Sequence, residues 1–226
     1  MVAIQAWRRS VGWATAAVVV LVALGLASAG CYLPHFFVWL FKPEKIMTPV
    51  KEEYHLEAER LVILPYAGTD ILFTYPAVPV EISQELVYAI VRDLGGRVKT
   101  IVHPVEVVRW QESTLEWPNM SLEQIAKEFQ ADTLLYVELE RYTMVEEGSA
   151  NLFRGRVKAR LEVVKVGAEH NPVYNATVET TYPEDVPVGV LGTTERVIRQ
   201  YTNFHFARDV IRKFYDHKVE VKGGRP

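Results

Sequence analysis

Sulfur is scarce in these 226 residues: there are four methionines and a single cysteine, Cys31. One thiol excludes an intramolecular disulfide, a CxxC redox pair and any zinc site built on two or more cysteines, so stability must come from an apolar core. Catalytic signatures are missing too. The chain has no GxGxxG, P-loop, GxSxG, HExxH or EF-hand pattern, each of which would place a known chemistry on a known local structure. The six histidines are scattered, with none paired at a spacing a metal would require. His103 is the one considered for a direct chemical role, and the simpler reading makes it a polar residue at the end of a strand. The expectation is therefore a protein that is not an enzyme, with no cofactor and no metal. An excess of positive charge is lacking as well. The first 41 residues hold Arg8 and Arg9 and no acid, which leaves 23 basic against 28 acidic residues in the rest. A mildly acidic body argues against nucleic acid as a partner.

What the N-terminus does have is a long uncharged run. After Arg8 and Arg9, no residue from Ser10 to Gly30 is charged. A basic start, an apolar stretch and then small residues at Ser28, Ala29 and Gly30 before Cys31 form the layout of a secretory signal. The tetrapeptide Ser28-Ala29-Gly30-Cys31 resembles the bacterial lipobox, which implies lipid attachment at Cys31 and cleavage before it. Residues 1–30 read equally by length as a retained signal-anchor, since 20 residues from Val11 to Gly30 span a bilayer core of about 30 Å. The aromatic segment "YLPHFFVWLF" that follows favours retention, because Tyr32, Phe36, Phe37, Trp39 and Phe41 suit a membrane interface. In both readings the positive flank places the body outside the cytoplasm, in the periplasm, with the membrane as its first partner.

Residues 31–59 read as this membrane-proximal segment plus a charged tether containing Pro43 and Pro49. The fold is expected over 60–217 and a flexible tail over 218–226. "RLVILPY" has the apolar run of a buried strand. Ile82, Leu86, Ile90 and Leu94 are four apart, the spacing of an amphipathic helix, stopped by Gly95-Gly96. "RVKTIVH" gives a second strand, and Pro104 opens a short helix. Ser121, three residues before Gln124, is a capping-box pattern opening another helix. "ADTLLYVELERYTM" reads as a long strand. In "RGRVKARLEVVKV" the apolar Val157, Ala159, Leu161 and Val163 alternate with charged residues, the period of a strand with one wet face. "NPVYNATVETTYP" repeats that pattern, and Thr194 to His217 close the fold as a helix. The fold class implied is α/β, an α+β sandwich of one mixed sheet with helices packed on one face.

Two surface features invite a partner. Trp110 and Trp117 lie in the unusual stretch "RWQESTLEWPNM", and tryptophan is favoured at binding hot spots; both also suit packing beneath the short helix and its loop. Arg154, Arg156, Lys158 and Arg160 line one strand face, either as a basic surface or as a solvated face paired with Glu138 and Glu140 across the sheet.

The strings "LVILPY", "VKTIVHP" and above all "SLEQIAKEFQADTLLYVELERY" resemble the α/β domain shared by the TolB N-terminal domain and the CsgG-like envelope lipoproteins. With "LFRGRVKARLEVV", the body also resembles lipoproteins of planctomycete-type bacteria. The likeness covers residues 60–182. It implies an extracytoplasmic α/β domain that binds other envelope proteins without catalysis, or an accessory domain carrying lipid or another apolar ligand.

The mass of the N-terminal peptide from membrane-extracted protein separates the two anchors. An acylated terminus at Cys31, lost in Cys31→Ala, identifies the lipoprotein; an uncut terminus indifferent to that substitution identifies the signal-anchor.

Overall fold

Leu61, Val62, Ile63 and Leu64 run consecutively and none is more than 1% exposed, so the strand that carries them must be covered on both faces. The computed structural model describes residues 47–220. The expected signal or anchor segment, the lipobox-like Ser28–Cys31 and the aromatic segment lie outside the described residues. The buried strand is β2 (Ala58–Ala67), and it pairs in parallel with β3 (Val98–Ile101) on one side and β4 (Thr133–Val145) on the other. Parallel neighbours need crossover connections, and those connections supply the cover.

From β2 the chain passes through α1 (Thr69–Thr74) and α2 (Val78–Asp93) to reach β3. It then crosses back through α3 (Pro104–Ser113), a single 3-10 turn (Trp117–Asn119) and α4 (Leu122–Glu128) to β4. β5 (Leu152–Lys165) and β6 (Tyr174–Tyr182) extend the sheet antiparallel, giving the order β3-β2-β4-β5-β6, and β7 (Val188–Gly189) pairs with β5. The last helix is α5 (Glu195–Ile211). The expected mixed sheet with helices packed against it is thus present.

The expectation of helices on one face alone is corrected. Leu61 and Ile63 join Ile82, Leu86 and Ile90 of α2 and Phe206 and Val210 of α5 in one core cluster. Val62 and Leu64 face the other way, into a second cluster with Val107 of α3, Ile125 of α4 and Val164. Local signals set the ends of these helices. Gly95 and Gly96, at φ of 55° and 88°, follow the C-terminus of α2 in the left-handed region that glycine tolerates best. Ser121 and Gln124 form the anticipated capping box at the start of α4.

The wet face of β5 is neutralised in place. Lys158 pairs with Glu140 at 2.7 Å, Arg156 with Glu146 at 2.6 Å, and Arg160 with Glu162 at 3.1 Å and with Glu138. A β-bulge between Leu139 and Arg141 resets the alternation of β4. Inward positions are therefore 135, 137 and 139 before it, and Tyr142 and Met144 after it.

The charged stretch before β2 belongs to the fold. Contact density divides the chain into 49–219 and a second unit, 1–48 with 220–226. Of the second unit only residues 47, 48 and 220 are described. Within 49–219, Leu56 is fully buried. Tyr54 stacks on Tyr174 and meets the edge of Phe214, and Glu53 accepts from Lys213 Nζ at 2.6 Å and from the Tyr174 hydroxyl at 2.8 Å. The folded unit therefore starts well before residue 60. Two short strands, β1 (Met47–Val50) and β8 (His217–Glu220), form a separate two-stranded sheet, which occupies the start of the expected tail.

α5 lies against β5 with no room to spare at Gly155. A Cβ built there would fall 1.9 Å from Thr202 Oγ1 and 2.7 Å from its Cγ2. Thr202 is itself fully buried and donates to the Ile198 carbonyl at 2.7 Å. Gly155→Ala is expected to cost about 1–3 kcal/mol, the usual range for overpacking, measured by urea denaturation of the purified chain. Adding Thr202→Ala, which removes the two nearest atoms, should recover part of that loss.

Candidate functional site

One crossover leaves β2 and the other leaves β3, over opposite faces of the sheet, and they part around the carboxyl end of β2. In open α/β sheets such a crevice is where ligands settle. Here it is a groove of about 410 Å³, within the range of small-ligand sites. Tyr66 from β2, Leu72 from α1, Val108 from α3 and Trp117 from the 3-10 turn supply its apolar lining. Pro65, Pro76, Pro79 and Pro118 also line it, and proline's fixed φ stiffens such walls.

The aromatic wall is held by ring packing. Trp117 meets Tyr66 edge-on, with centroids 5.7 Å apart, and Tyr66 stacks on Tyr136 at 6.5 Å. Burial, helped by neighbouring Glu138, pushes the Tyr136 phenol well above its ordinary pKa and keeps it protonated. Gln111 Nε2 donates to the Pro65 carbonyl at 2.8 Å, clamping α3 to the end of β2. Two large apolar side chains stand out into solvent on the same segments: Phe73 of α1 is 92% exposed and Leu115, before the 3-10 turn, is 86% exposed.

The two tryptophans singled out by sequence therefore part company. Both flank the second core cluster, but Trp117 also lines the groove, whereas Trp110 packs edge-on against Phe129 at 5.1 Å. His103 is the N-cap of α3, with Nδ1 accepting from the Val105 amide at 3.3 Å. Tyr66, Leu72 and the four prolines escaped the sequence reading. They come from the end of β2, from α1, from the turn into α2 and its first residues, and from the 3-10 turn, and only the sheet topology brings them together. Cys31, Ser28, Ala29 and Gly30 lie outside the described residues.

A second hollow, of about 390 Å³, lies where β5 and β6 meet α5, and includes Arg154, Glu184, His205, Arg208 and Asp209. Its charges are largely spent on one another. Arg154 donates to the Glu184 carbonyl, Arg208 lies 3.4 Å from Asp209, and Asp209 accepts from the Thr180 hydroxyl at 2.9 Å. His205 stacks on Tyr182 at 4.7 Å. Among the described residues no group of His, Cys, Asp or Glu is placed to hold a metal ion, and no helix is long and apolar enough to cross a membrane.

No protein-family model and no curated relative matches the chain. Among solved structures it is similar to a PelC dodecamer from Paraburkholderia phytofirmans, at 11% identity and a TM-score of 0.44, over 75% of this chain and 98% of that one. It is also similar to the lipoprotein GNA1162 from Neisseria meningitidis, at 11% identity and a TM-score of 0.40, over 62% of this chain and 89% of that one. At these scores the likenesses carry no information about what this chain binds.

Burial, and then the charge of Arg208, hold the His205 imidazole below its ordinary pKa of 6.5. A depressed histidine pKa means that the unfolded chain takes up a proton before the folded one does. Stability should therefore be full above about pH 7 and decline as the pH falls below 6.5, until the folded-state pKa is passed. The Lys213 ammonium holds the Glu53 carboxyl below 4.5, so its contribution is lost only in a more acidic window. His205→Gln should flatten the first decline and leave the second, as read from denaturation midpoints across pH.

Proposed function

We propose that this chain is a membrane-tethered, non-catalytic binding component of a bacterial envelope, with its α/β body in the periplasm and of the TolB N-terminal/CsgG-like type. The observation that carries the binding role is the open apolar groove at the carboxyl end of β2, walled by Tyr66, Leu72 and Trp117. Apolar surface of this kind stays exposed at a cost of about 25 cal/mol per Å² relative to burial, and Phe73 and Leu115 on the connecting segments are exposed as well. Such surface marks contact with a partner. The anchor reading rests on Arg8, Arg9, the uncharged run to Gly30 and the lipobox-like residues ending at Cys31. The envelope-domain type rests on the order of strands and helices from "LVILPY" to "ADTLLYVELERY".

An accessory domain carrying lipid is the weaker reading. It would need a cavity between sheet and helices to shelter acyl chains, and both of those spaces are filled by core side chains. An open groove suits a protruding segment of another protein better.

A photoreactive amino acid placed at Leu72 or Val108 of the full chain, in the membranes of the producing bacterium, tests this role. A discrete adduct with another envelope protein is expected, absent when the probe sits at Tyr88 on the outer side of α2. Trp117→Ala should weaken that adduct roughly tenfold or more, the effect of losing an aromatic hot spot. Equal adducts from groove and outer face, or none from the groove, refute it.

A further inference from the structure

The groove has a charge asymmetry that narrows its partner. Glu112 of α3 is its one ionisable wall residue besides Tyr66, and no lysine, arginine or histidine lines it. Among the described residues, Glu112 has no ion-pair or hydrogen-bond partner. Arg109 lies one turn earlier on α3, yet no ion pair joins the two. Other exposed carboxylates, among them Glu106, Glu116 and Glu128, also lack a partner among the described residues, so what sets Glu112 apart is that it lines the groove; others again are matched. Glu59 meets Lys99 at 2.7 Å, Glu123 meets Lys127 at 2.8 Å and Glu140 meets Lys158 at 2.7 Å. The Glu112 carboxylate is left unmatched beside an aromatic wall.

The neighbouring amide has a similar bias. Gln111 uses its Nε2 on the Pro65 carbonyl, which fixes the side chain and leaves Oε1 as an acceptor. Tyr66 and Trp117 add π faces to the same wall, and aromatic faces attract ammonium and guanidinium groups. Carboxylate, amide oxygen and ring faces all favour a positively charged donor, and the apolar lining favours aliphatic or proline side chains around it. The prolines of the walls leave few backbone N–H groups to pair with an acidic ligand.

Resting on the reading of the groove as a partner site, we propose that its occupant is an extended peptide segment of another envelope protein in which apolar residues flank a lysine or arginine. The basic side chain pairs with Glu112 over the Tyr66–Trp117 wall, and the flanking apolar residues fill the floor between Leu72 and Val108. The acidic balance of this chain outside its first 41 residues, 23 basic against 28 acidic, works in the same direction by favouring the approach of a basic segment.

A randomised nine-residue peptide library, selected against the full chain held in lipid nanodiscs, tests both the site and its charge preference. Binders that compete for the groove are those lost on Trp117→Ala and on a second wall variant, Leu72→Asn, with thermal melts verifying that each variant is folded. Those peptides are expected to be enriched in lysine or arginine beside apolar residues. Single clones should lose about two- to fivefold in affinity on Glu112→Gln, the scale of a solvent-accessible ion pair, and more on Glu112→Lys, with the preference fading in high salt. Groove-dependent peptides that are neutral or acidic, or that ignore both Glu112 variants, overturn the charge inference and leave the groove as a partner site. Peptides that bind independently of Trp117 and Leu72, or a library that yields no binder, overturn both.

Discussion

Burial of β2 on both faces is the constraint from which the rest of the architecture follows. Four consecutive apolar residues, Leu61 to Leu64, cannot lie at the edge of a sheet with one side in water without exposing two of them. Placing β3 and β4 on either side in parallel satisfies the backbone of β2 and forces two crossovers. One crossover brings α2 over Leu61 and Ile63, and the other brings α3 and α4 over Val62 and Leu64. α5 then completes the first layer, pressed so closely on β5 that only glycine fits at 155. Because the crossovers run over opposite faces, they diverge at the carboxyl end of β2, and the groove opens there. Covering the strand and creating the site are the same event.

Much of this was legible from residues alone. The spacing of Ile82, Leu86 and Ile90, the Gly95-Gly96 stop, the Ser121–Gln124 box and the alternation in β5 all report local physics, and each appears where the sequence places it. The double-sided cover was also written there, since an unbroken run such as Leu61–Leu64 marks a strand buried on both faces; reading it only as a strand led to helices on one face. Less visible were features with no local period. β1 is exposed at every residue and β8 at all but His217, so neither carries an apolar pattern. α1 lies in a stretch marked by Pro76 and Pro79 and reads as loop. The extra residue of the β4 bulge hides among charged and aromatic side chains that alternate acceptably on either side of it.

The candidate site divides along the same line. Trp117 was conspicuous by its type and its odd surroundings, and it does line the groove. Trp110 was equally conspicuous and packs on Phe129, because a tryptophan on an amphipathic helix can face either way and its neighbours in sequence do not decide. Tyr66 and Leu72 were invisible as site residues: one ends a core strand and the other sits in a six-residue helix. The run Arg154, Arg156, Lys158 and Arg160 shows the reverse case. As composition it suggests a basic surface, whereas Glu138 stands opposite Arg160 in the register of β4, and Glu140 and Glu146 reach Lys158 and Arg156 from beside the bulge and from just past the end of the strand.

That local neutralisation bears on how the groove can be selective. The Lys158–Glu140 and Arg160–Glu138 pairs along β5 are exposed or half-exposed and contribute little to stability individually, but together with the less exposed Arg156–Glu146 pair they cancel the field that would otherwise draw anionic ligands to this face. Glu112 is then the one charged side chain on the groove wall, and the groove presents a sign as well as a shape. A tether from the membrane would multiply its effect. On the proposed anchoring, a groove of modest intrinsic affinity confined to a thin layer beside that surface would meet segments of neighbouring envelope proteins at an effective concentration far above their bulk value. Weak, charge-biased recognition of a short peptide is then sufficient for occupancy, which removes any need for the large buried interface that a freely diffusing binding protein requires.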